Sequence, residues 1–308
     1  MEIALIGIGK IAIDQHVPAI QNSPDWNLSA TVSRHGTVAG VPAFHDFAQM
    51  LEERPDIRVV SLCLPPVPRF DYAAAAIRAG RHVMLEKPPG ATLSECHVLK
   101  AMAQAHRVSL YATWHSRQAD KVPAAKAWLA EKTLQKLTIN WREDVRQWHP
   151  GQDWVFEAGG LGVFDPGINA LSILTEILPE PVHLTGAQLH FPANRETPIA
   201  AECSFHHPRG AEVSMSLDWL EPGAPTWTIQ AETDQGIMIL ENGGDKLTID
   251  GAIDEGVSDL TGEYPRLYAQ MASLVQRGGI DMDLSPMRHV ADAFTLGKRI
   301  TAEPFEWQ

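Results

Sequence analysis

Short apolar runs and amphipathic runs alternate along the first part of the chain. "EIALIGI" at residues 2–8 is almost continuously apolar, the mark of a strand buried on both faces. Residues 10–20 then mix polar and apolar positions as a helix does. "NLSATVSR" (27–34) predicts a second strand, and "FAQMLEERP" (47–55) a short helix stopped by Pro55. "IRVVSLCLPP" (57–66), "HVMLEKPPG" (82–90) and "VSLYATWHS" (108–116) predict further strands. Helices are predicted between them at 69–80, capped by Gly80, and at 92–107. This alternation up to about residue 118 predicts an α/β unit with a doubly wound parallel sheet.

The texture then changes. One helix is predicted at 120–132 and another at 163–178. Between and after them, strands are predicted at 136–144, 181–191, 199–207, 211–220, 226–233, 236–244 and 245–251. Strands joined by short turns predict a largely antiparallel sheet. A final helix is expected at about 287–300. Two domains follow, 1–118 and an α+β domain at 119–308, with the last helix expected to pack back on the first domain.

Composition narrows the function classes. The 308-residue chain carries a formal net charge of -13, which disfavours nucleic acid and acidic membranes as partners. No apolar run reaches the ~20 residues of a membrane span. Cys63, Cys96 and Cys203 lack metal-ligand spacing and suit a reducing compartment, and the chain reads as cytoplasmic with no metal site. No Tyr-x-x-x-Lys pair, zinc-type cysteine cluster or G-x-S-x-G elbow is present.

Ligands of doubly wound sheets bind beyond the carboxyl ends of the strands. After the first strand stands Gly7-x-Gly9-x-x-Ala12. Gly7 permits a tight turn, Gly9 lets backbone approach a pyrophosphate, and Ala12 allows close helix packing. Lys10 and Ile11 open the following helix, whose N-terminus suits an anion. The second strand ends in Ser33, Arg34 and His35, with no carboxylate for a ribose 2′-hydroxyl. Arg34 suits a 2′-phosphate, so NADP is expected, with NAD the alternative. Leu64 and Pro65 lie at the carboxyl end of the third strand, and Glu86 and Lys87 at that of the fourth. All four are expected at the cofactor. Pro88 restricts Lys87 to an extended conformation. A lysine there can stabilise negative charge developing on a substrate oxygen.

The early GxGxxA, the "EKP" about 80 residues later and the α+β half together resemble the Gfo/Idh/MocA oxidoreductase family over essentially the whole chain. The resemblance implies an N-terminal Rossmann domain and a C-terminal domain with an open, mostly antiparallel sheet, through which a homodimer is expected. "GIGKIAIDQHVPAI", "HVMLEKPPGATL", "ATWHSR", "EDVRQWHPGQDW" and "GGLGVFDPGINALSI" resemble the members that oxidise L-arabinose or D-galactose at C1 to the lactone. Asp165 and Asn169, four residues apart, share a helix face. Many family members carry histidine at the second position. Asn169 cannot act as a base at neutral pH, so the resemblance gives proton acceptance to Asp165, with Lys87 and Asn169 beside it. From local sequence alone, Asp165 before Pro166 reads equally as a helix N-cap. The resemblance also places His115, Glu143, Trp148 and His149 on the aldose. Arg142, Asp144 and Arg146 are expected at the surface or in salt bridges. The alternatives are a family oxidoreductase for another sugar or polyol, and a non-catalytic NADP-binding sensor.

Overall fold

A computed structural model describes residues 1–256 and 260–307. The chain forms two compact units. The first comprises Met1–Gln118 with Leu260–Leu284, the second Ala119–Asp259 with Ser285–Gln308. With elements numbered along the chain, the first unit carries strands β1 (Glu2–Ile6), β2 (Asn27–Val32), β3 (Ala43–Phe44), β4 (Val59–Leu62), β5 (His82–Leu85), β6 (Leu110–Ala112) and, from the returning segment, β15 (Ile280–Asp281). They form one parallel sheet in the order β15-β6-β5-β4-β1-β2-β3. The order reverses between β1 and β4, so the glycine turn after β1 and Leu64–Pro65 after β4 flank the switch point.

The helix after the glycine turn is irregular. It runs in π form over Ala12–His16 and continues as α1 (Val17–Gln21). Pro18 explains the irregularity. It has no N–H for the carbonyl four residues back, and its ring would clash there, so the winding loosens by one residue. That turn leaves His16 fully buried. The other helices of the unit are α2 (Phe47–Glu53), α3 (Pro66–Arg78), α4 (Leu93–His106) and α8 (Glu263–Arg277). The last has no counterpart among the expected elements. It buries Tyr264, Leu267, Tyr268, Met271 and Leu274, one helical stripe, in the core formed with Ile3, Leu5 and Tyr111.

The second unit is a nine-stranded sheet with helices. Its strands are β7 (Leu134–Arg142), β8 (His183–Pro192), β9 (Ala200–His206), β10 (Glu212–Asp218), β11 (Thr226–Thr233), β12 (Gly236–Glu241), β13 (Lys246–Ile249), β14 (Ala252–Ile253) and β16 (Lys298–Ala302). Their order is β14-β13-β12-β11-β7-β10-β9-β8-β16. Neighbours are antiparallel except β10 with β7 and β16 with β8. This is the open, mostly antiparallel sheet that was expected. Its helices are α5 (Val122–Ala130), α6 (Val145–Trp148), α7 (Phe164–Ile177) and α9 (Ser285–Leu296). The helix expected over 287–300 is α9, which ends earlier and belongs to the second unit. Residues 298–302 form β16 instead, paired with β8; between helix and strand stands Gly297, where a Cβ would collide with the Ala293 carbonyl oxygen and with Leu189. No helix of the described residues is long and apolar enough to cross a membrane.

Gly162, just ahead of α7, has φ +55°, and a Cβ there would collide with the Pro198 carbonyl oxygen. Gly162→Ala is therefore expected to destabilise the protein by about 2 kcal/mol, from left-handed strain plus backbone displacement. Thermal unfolding should show a melting temperature several degrees lower.

Candidate active site

The turn after β1 is shaped by close approach. Gly7 has φ +88°, and a Cβ there would press on Leu64 and the Cys63 backbone. Its N–H donates to the Val32 carbonyl at the end of β2 (2.8 Å). Gly36 lies so near Ile8 that a Cβ would collide with the Ile8 carbonyl oxygen. Ser33, Arg34 and His35 are thereby held beside the turn. Ser33 Oγ accepts the Gly36 N–H (3.2 Å), and Arg34 and His35 are exposed. Gly9 faces open space, with nothing within 4 Å of a Cβ placed on it. The first intrahelical bond runs from Ile13 N–H to Gly9 (3.1 Å), so the earlier N–H groups have no partner within the helix. An open glycine, a helix N-terminus and a neighbouring guanidinium without a carboxylate fit a dinucleotide phosphate. Lys10, expected beside the phosphates, is exposed and pairs with Asp14 one turn along.

Pro65 precedes α3, and its neighbour Leu64 accepts from Arg69. Arg69 is buried and also donates to the carbonyls of Glu86 and Pro88. One guanidinium therefore clamps the segment on both sides of Lys87 to the end of β4.

Glu86, expected among the cofactor contacts, is buried and occupied internally. Its Oε1 accepts from His16 Nε2 (3.1 Å) and from the Tyr264 hydroxyl (2.8 Å), and its Oε2 from the Lys87 backbone N–H (2.7 Å). Burial alone would raise this carboxyl, but the hydrogen bond and charge of His16, with His115 and Tyr264, hold it at about 2. Burial likewise works against the His16 cation. The Cys63 thiol, the Tyr268 phenol and Glu86 outweigh it, and the imidazole is held well above its usual value. His16 Nδ1 meets the Tyr268 hydroxyl at 2.7 Å. His115 pairs with Glu263 (Nδ1 to Oε2, 2.7 Å) and stacks on Tyr264. Its burial is outweighed by Glu263 and Glu86, with Lys87 opposing them, so it too is raised.

The second unit gathers the other expected residues. Glu143 follows β7, and both its oxygens accept indole N–H groups, from Trp219 (3.1 Å) and Trp227 (2.8 Å). Burial raises its carboxyl above the usual range despite these donors and His149, and the Asp165 charge adds to the rise. Asp144 caps α6, its Oδ1 accepting the Arg146 N–H (2.9 Å), which presents Trp148 and His149 at the helix end. Trp148, partly exposed, lies 5.3 Å from Trp227, which stacks on Trp141 at 5.9 Å.

Asp165 is not at the N-cap position. α7 begins at Phe164 with Val163 as its N-cap, and Asp165 lies in the first turn. Asp165 Oδ2 lies 3.2 Å from His149 Nε2. Asn169 stands one turn further along α7, half-buried, its carbonyl accepting from Ser172 (2.7 Å). Thus Glu143, His149 and Asp165 are brought together in the second unit, and Glu86, Lys87 and His115 in the first. Among the described residues no metal-binding cluster occurs.

The profile of the Gfo/Idh/MocA oxidoreductases, a family with an NAD-binding Rossmann fold, matches residues 1–113. A galactose 1-dehydrogenase from Pseudomonas fluorescens is 40% identical over 305 residues, 99% of this chain and 98% of its own. The chain belongs to the Gfo/Idh/MocA oxidoreductase family. Membership makes it an oxidoreductase whose first unit is of the NAD(P)-binding kind. A crystal structure of a D-galactose-1-dehydrogenase protein from Rhizobium etli is 52% identical, covers 99% of this chain and 97% of that one, and superposes with a TM-score of 0.94. The 3-ketoreductase KijD10 from Actinomadura kijaniata, solved with NADP and TDP-benzene, shares the fold at 18% identity, with 98% of this chain and 99% of that one covered and a TM-score of 0.85.

His16, Arg69, Tyr264, Trp219 and Trp227 shape these clusters without having been singled out in sequence. Pro18 is a local signal that could have pointed to one of them, since a proline inside a helix marks irregular winding around His16. Because the Glu86 carboxyl is depressed in the folded state, its ionisation adds stability above its usual value of 4.5, and that gain is lost as pH falls towards about 2. Glu86→Gln should therefore be less stable than the parent at neutral pH, and the gap should shrink with acidification. Urea unfolding from neutral pH down through the carboxylate range checks this.

Proposed function

We propose that this oxidoreductase is an NADP-preferring aldose 1-dehydrogenase that converts D-galactose, L-arabinose or both to the lactone. The observation that carries the proposal is the buried Asp165 carboxylate, 3.2 Å from His149, whose ring in turn lies 5.5 Å from that of Trp219. The near-complete similarity to proteins named galactose 1-dehydrogenases supports the sugar. Absence of a carboxylate beside the glycine turn, with Arg34 held there, supports NADP over NAD.

When bound, NADP supplies the hydride acceptor. The residues of the chain manage the oxygen and its proton. As the C1–H bond breaks with its electron pair, the C1 hydroxyl passes its proton to Asp165 and C1 becomes the lactone carbonyl. The anomeric hydroxyl is more acidic than an ordinary alcohol, so a carboxylate suffices as base. The Lys87 ammonium donates to the same oxygen and stabilises its developing charge. His149 is the more exposed partner, its side chain 20% accessible against 5% for Asp165, and gives the proton a way toward solvent. Glu143 accepts sugar hydroxyls on lone pairs that the two indoles leave open. Trp148 covers an apolar sugar face, Asn169 orients the sugar by its amide, and His115 contributes a further polar contact. Self-association through the nine-stranded sheet and a cytoplasmic location complete the proposal, and light scattering tests the first.

The purified protein should form NADPH with D-galactose, L-arabinose or both, and little with D-glucose, D-xylose or myo-inositol. Turnover confined to glucose or inositol would overturn the substrate assignment. Asp165→Asn should lower kcat by about a hundredfold or more while leaving dinucleotide affinity nearly unchanged. Arg34→Ala should raise the KM for NADP by about tenfold and leave that for NAD alone, since a charge-assisted pair to phosphate is worth roughly that much. Equal losses for both dinucleotides would contradict the 2′-phosphate role.

A further inference from the structure

Glu86 and His16 form a buried ion pair that contributes no group of its own to the proposed chemistry. Their side chains are 6% and 0% exposed. A buried pair gives up the hydration of two charges and is often no more stabilising than apolar packing. What this one provides is connection. His16 sits on the π turn of the helix that leaves the glycine turn, and Glu86 follows β5 immediately before Lys87. The carboxylate that accepts His16 on Oε1 accepts the Lys87 backbone N–H on Oε2. Tyr264 of α8 donates to the same Oε1 and fixes its direction, while Arg69 holds the carbonyls on either side of Lys87. Two hydrogen bonds therefore join the helix that would meet a pyrophosphate to the main chain of the lysine.

We propose that His16 and Glu86 are positioning residues that couple filling of the glycine turn to the placement of Lys87. A pyrophosphate held by the N–H groups at the helix start fixes that helix. His16 transmits the constraint to Glu86, and Glu86 to Lys87. The coupling rests on the assignment of the first unit as a dinucleotide site and is independent of which sugar is oxidised.

The test uses 2′-phospho-ADP-ribose, which fills the pyrophosphate and 2′-phosphate positions but lacks the nicotinamide ring, so it cannot itself cover Lys87. Lys87 acetylation by acetic anhydride is followed by mass spectrometry in the full-length protein, with the exposed Lys126 as reference. In the parent, saturating ligand should change the Lys87 rate by about fivefold or more. In His16→Gln and Glu86→Gln, with saturation verified by calorimetry, the change should fall below about twofold. Tyr264→Phe removes one hydroxyl and keeps the ring, so it serves if the two glutamine variants fold poorly, and it should give an intermediate response. A parent without a response, or variants that respond like the parent, would overturn the coupling. Failure of the ligand to bind the parent would overturn the dinucleotide site and the coupling with it. Turnover gives a second readout. His16→Gln should lower kcat by about tenfold in the parent but have little further effect in a Lys87→Met background. Effects that simply add would mark His16 as structural only and refute the proposal.

Discussion

An ionised carboxylate buried at the end of a central strand must be surrounded by donors, and the first unit is arranged to supply them. Glu86 draws one donor from the helix after the glycine turn, one from α8 and one from its own chain. Leaving such a charge unpaired would cost several kcal/mol, so the three elements are bound to one another through it. The segment Leu260–Leu284, which returns to the first unit, places α8 in its core and so supplies the Tyr264 donor. The buried imidazole on the irregular helix supplies another. Arg69 adds a parallel constraint, since its guanidinium spans the ends of β4 and β5. Lys87 consequently starts from a main chain held on every side.

The second unit follows the same logic with different donors. Two indole N–H groups fill one lone pair on each oxygen of Glu143, and an imidazole meets Asp165. Trp219 lies between the two, 5.5 Å from the His149 ring and 5.5 Å from Phe156. Phe156 in turn packs on Phe305, which is itself buried. The segment near the chain end thus supports the loop bearing His149 through a run of aromatic rings. In both units, an anchored carboxylate stands next to a residue assigned to chemistry, and the anchor is built from groups far away in sequence.

That separation sets how much was legible beforehand. The parallel sheet was readable because strands buried on both faces are almost continuously apolar, as in residues 3–6 and, Ser61 apart, 59–62. The turn at Gly7 and Gly9 was readable because its constraints are local. The alternation of β7 to β11 was readable because one face of each is buried. Asp165 was ambiguous, since a carboxylate before proline at a helix start has the same local form whether it caps or reacts. In the structure the helix begins one residue earlier, with Val163 at the N-cap position and Asp165 inside the first turn. The pairing of His16 with Tyr268 spans 252 positions, and that of Glu86 with Tyr264 spans 178. No local pattern encodes such partners. Gly36 was passed over for a similar reason, because its need for a missing side chain arises only where Ile8 comes close.

Direct transfer of hydrogen from C1 of the sugar is the central claim. Its most direct measurement is turnover of D-galactose carrying deuterium at C1, with NADP as acceptor, followed by mass spectrometry of the reduced dinucleotide. The account predicts NADPH heavier by one deuterium, formed with galactonolactone and more slowly than from unlabelled sugar. Unlabelled NADPH from the deuterated sugar, or an oxidised product that retains deuterium at C1, would contradict it.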